Sequence, residues 1–184
     1  MSSLTTWQYL RASTASAHAE LEAAPINRRL FADDFSAAEL GELLGRFVTV
    51  YRPLEATLTH AEPARSLNYT PRLPKLVAGL AVLGSDVPAY DFPVPNLADV
   101  PSRIGALYVI EGSTMGGQMI HRHLISKHLP GSLEFFRPHG NNSAERWRTF
   151  LAYIETSLGP PGMREAAKAG AINTFKMFHQ ALTT

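Results

Sequence analysis

Wherever this chain shows a pattern, apolar residues return every three or four positions, and nowhere do they alternate at every second position. A period near 3.6 places one face of a helix on a core, whereas a strand would scatter the same residues over both of its faces. The chain is therefore predicted to be all-α. The first helix carries Trp7, Leu10, Thr14, His18 and Leu21 behind a cluster of Ser and Thr caps, and Pro25 stops it. Ser36 and Glu39 form a capping box for the most regular segment, Leu40 to Leu58, which Pro53 is expected to bend. Thr70 before Pro71 reads as the next start, with Gly84 as the stop. The four prolines between Ser85 and Pro101 predict an extended connection. From Ser102 the spacing of Ile104, Leu107, Tyr108, Glu111 and Met115 is helical, and Ile120 and Leu124 continue it on a displaced face. Ser143 opens a helix closed by Gly159-Pro160-Pro161, and a last one runs from about Met163 to Leu182. With 184 residues the expectation is one domain, 1–184, folded as a single-domain helical bundle.

Charge and cysteine usage remove several functions. Seventeen basic and sixteen acidic residues leave a formal charge of +1, so no broad field draws nucleic acid or an anionic membrane. The absence of cysteine excludes disulfides, thiolate metal sites and cysteine nucleophiles, and fits a cytoplasmic protein. The N-terminus lacks the basic start and apolar core of a secretion signal, and no apolar run is long enough to span a bilayer.

The segment EGSTMGGQMIHRHL, Glu111 to Leu124, concentrates glycine where a helix should tolerate it least. The spacing of Gly112 and Gly117 matches a phosphate loop, but Gln118 and Met119 occupy the places of its Lys and Ser or Thr, and no strand feeds it. Read as helix, each glycine costs about 1 kcal/mol relative to alanine. Two compensations are equally open: tight packing of another helix, or a flat ligand resting on bare backbone at Gly112, Gly116 and Gly117, with a kink at the pair. Near the N-terminus, His18 and Glu22 stand one turn apart, so the carboxylate can hydrogen-bond one ring nitrogen while the other binds a metal. His121, His123 and His128 read as solvated, since the first two point about 200° apart at ~3.6 residues per turn. Phe175, Phe178 and Ala171 are core positions that could also wall a site, and Tyr108 precedes Gly112 by one turn.

ASAHAELEAAP, YVIEGSTMGGQMIHRHL, FFRPHGNNSAERWRTF and INTFKMFHQAL, in this order, resemble the haem oxygenase family, most closely its bacterial, phytochrome-associated branch. The likeness covers nearly the whole chain. It implies haem sandwiched between a proximal helix and a glycine-kinked distal helix, with His18 as the iron ligand, Glu22 as the partner of its imidazole, and Gly112, Ser113, Gly116 and Gly117 on the far face. Arg11, on the face of His18, and Arg148, with Arg146 as a substitute, would meet the propionates. By its position one turn before Gly112, and not by the resemblance, Tyr108 is either a packing residue or a donor to a water or propionate near the distal side. The implied reaction consumes haem, O2 and electrons from an external reductase, a ferredoxin or flavoprotein, and releases biliverdin, carbon monoxide and ferrous iron, with a bacteriophytochrome as the implied recipient of the bilin.

The sequence departs from the animal enzymes at Ser113, where they carry Asp, and at Ala152, where a second basic contact is missing. The rival from another class is a haem-binding sensor or carrier on the same fold. A di-iron or thiamin-salvage enzyme is disfavoured, because no histidine has a Glu three residues before it and there is no cysteine.

Overall fold

A computed structural model describes residues 4–130 and 133–184. Its helices are α1 (Thr6–Glu22), α2 (Pro25–Arg29), α3 (Ala37–Leu58), α4 (Leu73–Leu83), α5 (Val100–Ser126), α6 (Ser143–Ser157) and α7 (Pro161–Thr183). Two single 3-10 turns lie between α5 and α6, and no strand occurs among the described residues. The all-α bundle expected from the apolar spacing is the fold observed.

Local signals account for most helix ends. Thr5 accepts from the Gln8 backbone N–H and the Gln8 side chain returns the bond, so the Ser/Thr cluster does supply the first cap. Ser36 and Glu39 form the capping box read from the sequence. Pro25 ends α1 by starting α2, in the first-turn position where its missing N–H costs nothing. Gly84 closes α4 at φ 64°, and residues 85–99 form no helix.

The expected start at Thr70 is displaced. α4 begins at Leu73, and the Glu55 carboxylate, one turn from the end of α3, caps it by accepting from the backbone N–H groups of Arg72 at 2.6 Å and Leu73 at 3.1 Å. Glu155 does the same for α1, accepting from Thr6 and Trp7 at 2.9 Å each. A carboxylate from a distant helix satisfies orphan donors and opposes the positive end of the dipole, and no local sequence pattern announces it.

α7 is the spine on which α5, α1 and α3 pack. Its contact with α5 is set by two glycines outside the conspicuous segment: a Cβ on Gly105 would strike the Ala167 carbonyl oxygen, and one on Gly170 would strike that of Ser102. α1 and α5 both rest on α7 rather than packing closely on each other, which leaves space between them. Phe47, Tyr51, Phe135 and Phe178 bound that space with ring centroids 5.1 to 6.4 Å apart.

Candidate functional site

The space between α1 and α5 is a cavity of about 930 Å³. α1 contributes Arg11, Thr14, His18 and Glu22 to its lining, α5 contributes Tyr108, Gly112, Ser113, Gly116 and Gly117, and Phe175 and Phe178 come from α7. Residues nearly a hundred positions apart are thus brought to one chamber. The His18 and Glu22 side chains remain 57% and 71% exposed. His18 Nδ1 lies 3.6 Å from Glu22 Oε2, an ion-pair separation rather than a hydrogen bond, so Nδ1 is turned to the carboxylate and Nε2 is the nitrogen left for a ligand. The Phe175 ring meets the imidazole edge-on at 5.7 Å and 82°, limiting its rotation.

The glycines divide the two compensations between them. A Cβ on Gly117 would collide with the Phe136 carbonyl oxygen, so this glycine admits the chain that follows α5. At Gly116 a Cβ would meet nothing within 4 Å; that backbone faces open cavity. Gly112 is intermediate, with Trp147 at 3.5 Å. α5 stays helical through all three.

Arg11 stands at the cavity with its guanidinium 5.5 Å from the centre of the Trp7 ring. Arg148 is not brought there: it is exposed on α6, and its Nε approaches the Ala144 carbonyl at 3.4 Å. Arg146 is committed elsewhere, donating to the Asn68 carbonyl at 2.9 Å. The second exposed cation at the cavity is Arg28, placed by the short helix α2 and given away by no motif. His123 departs from the solvated reading as well. Its ring lies 5.1 Å from Phe31, and Nε2 is buried without a hydrogen-bond partner.

Beyond the glycine helix lies a buried polar cluster that was not singled out from the sequence. Arg72 lines the cavity with its side chain only 1% exposed. Its Nη2 is 3.6 Å from Glu111 Oε2, whose other neighbour is His139 Nε2 at 3.2 Å. Burial pushes the Glu111 carboxyl upward, but the His139 hydrogen bond and the Arg72 charge outweigh it and hold the group below the usual carboxylate range. Ionised Glu111 only accepts, so His139 Nε2 donates to it. Glu55 accepts from the Tyr69 hydroxyl at 2.5 Å in addition to its capping bonds. Burial raises the Tyr51 phenol despite the Arg72 charge, keeping it a neutral hydroxyl in the cavity wall. A signal for part of this existed: Glu55 and Glu111 both sit in the apolar register of their helices, where a carboxylate must find buried partners.

An accessible imidazole, an opposite wall of bare backbone, aromatic sides and two exposed arginines, Arg11 and Arg28, suit a flat, apolar ligand with anionic edges. The donor set fits haem on the same grounds. Among the described residues no group of three or more His, Asp or Glu side chains forms a metal cage.

Comparison with known proteins agrees. The sequence model of the family described as Heme oxygenase matches residues 4–184. A heme oxygenase of Xanthomonas campestris pv. campestris (strain 8004) is 39% identical over 117 residues, 62% of this chain and 68% of that one. The NO- and CO-bound heme oxygenase of Neisseria meningitidis superposes with a TM-score of 0.77 at 22% identity, covering 98% of this chain and 91% of the other. Heme oxygenase from Leptospira interrogans gives 0.77 at 15% identity, over 98% and 99%. The chain belongs to the haem oxygenase family, enzymes of oxidative haem cleavage. Among the described residues no helix is long and apolar enough to cross a membrane.

Proposed function

We propose that this protein is a haem oxygenase that opens haem with O2 and electrons from a ferredoxin or flavoprotein reductase, releasing biliverdin, carbon monoxide and ferrous iron. The observation that carries the reading is one cavity of about 930 Å³ bounded by the exposed His18 imidazole and the unobstructed Gly116 backbone. Haem supplies the redox-active iron and, as substrate, the ring that is cut. His18 would hold the iron through Nε2, with Glu22 on the Nδ1 side of its ring. Arg11 and Arg28 receive the propionates at the cavity edge. Gly112 and Gly116 keep side chains off the wall opposite His18, where they would leave room for dioxygen, while Phe175 and Phe178 would keep water from the cavity. Ser113 and Tyr108 are the neutral hydroxyls of that wall; burial pushes the Tyr108 phenol up, so it stays protonated. The likeness of its motifs to the phytochrome-associated branch of the family supports a cytoplasmic role in supplying a bilin chromophore.

The test is to mix purified protein with haemin, record the visible spectrum, and add reductant under air with catalase present. Conversion to a biliverdin spectrum is expected; a haem complex that survives reductant and air would make the protein a carrier or sensor. His18→Ala is expected to lose the wild-type complex spectrum, and its retention would remove the ligand assignment.

A further inference from the structure

Arg72 is the largest fully buried side chain among the described residues, and much of its hydrogen-bonding capacity is unused. A guanidinium has five N–H donors and no acceptor. Nη1 reaches Ser113 Oγ at 3.4 Å, a long contact, while Nε and Nη2 have no hydrogen-bond partner. Glu111, at 3.6 Å, neutralises charge without taking up a proton of Nη2. Glu55 accepts from Tyr69, from the Arg72 backbone and from Leu73, and takes no hydrogen bond from the guanidinium. Ser113 spends its own proton on the Ile110 carbonyl at 2.7 Å. The cavity wall where Arg72, Ser113 and Tyr51 meet is therefore rich in donors and poor in acceptors. Buried donors left in this state ask for a ligand that accepts.

We propose that Arg72 forms a cationic subsite for a small hydrogen-bond acceptor, an anion of the azide or fluoride kind or dioxygen as it gains negative charge, beside haem in the cavity. The inference rests on the haem-binding reading above and adds to it the residue that recognises the small reactant. It also gives this wall a sign. Where the animal enzymes of the resemblance place an Asp after the first distal glycine, this chain has Ser113 and brings a positive charge from the start of α4. Glu111 and His139 act through Arg72: they hold the guanidinium in place and temper its charge.

The experiment titrates the ferric haem complex with azide and the ferrous complex with carbon monoxide, a weak acceptor that serves as the control. Losing a charged hydrogen bond should weaken azide binding roughly ten- to a hundredfold in Arg72→Leu, with carbon monoxide affinity nearly unchanged. Glu111→Gln keeps the shape but removes the countercharge, and should tighten azide binding several-fold; it decides the matter if the leucine variant does not fold. A residue that merely fills space would not shift azide in opposite directions in the two variants. Azide affinity indifferent to the substitutions, in variants that bind haem, overturns this inference alone; failure of the wild-type protein to bind haem overturns both readings.

Discussion

The two walls of the cavity are built on opposite principles. On the α1 side, His18 and Glu22 are one helical turn apart, mostly exposed, and held by the geometry of a single helix. On the α5 side, Arg72 lines the cavity and is backed by Glu111 and His139; the three arrive from separate segments and are almost wholly buried. An exposed pair is screened by water and contributes little to folding, while a buried one is fixed by desolvation: each charge requires the other. The first wall can be rebuilt by substitution with little effect on the bundle. The second is part of what holds α3, α4 and α5 together.

The largest expected effect breaks the buried wall. Glu111→Leu leaves the Arg72 guanidinium without its countercharge and His139 without its acceptor, and should cost about 3–5 kcal/mol, a fall in Tm of roughly 6–20 °C. His18→Ala, which removes an exposed side chain, should change Tm little while abolishing the haem spectrum. Equal thermal losses in the two would erase the contrast. Acid gives a second probe of the same wall. Since the folded-state pKa of Glu111 is depressed, its stabilising contribution is complete above the ordinary carboxylate pKa of about 4.3 and is lost as pH falls through the lower folded value. Denaturant titrations taken from about pH 5 downward should show a steeper acid loss for wild type than for Glu111→Gln.

What the sequence disclosed follows the same division. The capping box at Ser36 and the turn-spaced His18 and Glu22 are written in neighbouring residues, and so were legible. The cap on α4 was misplaced to Thr70 because its true acceptor, Glu55, lies on another helix. Arg148 was expected at the cavity and Arg28 was not, because a helical arginine carries no mark of which way the helix is turned in the bundle. Arg72 stands between two prolines in TPRLPKL and looks like an ordinary surface cation; only the carboxylates in apolar register, Glu55 and Glu111, hinted at a buried partner.

The glycines sharpen the comparison within a single helix, because neighbours in sequence should respond with opposite sign. Alanine at Gly117 must displace the Phe136 backbone, a carbonyl that cannot swing aside as a side-chain tip would. Such overpacking costs about 1–3 kcal/mol and should exceed any gain in helix propensity, so Gly117→Ala is expected to unfold at a lower temperature. Alanine at Gly116 meets nothing, and removing a glycine from a helix interior should stabilise by up to about 1 kcal/mol, raising Tm by roughly 2–4 °C. The methyl that stabilises the helix also enters the cavity, so haem affinity of Gly116→Ala should fall as its Tm rises. Paired melting curves and haemin titrations measure both. If Gly116→Ala gained stability and bound haem as tightly as wild type, bare backbone at that position would serve no ligand, and the glycine-rich wall would reduce to the packing of Gly117 on Phe136.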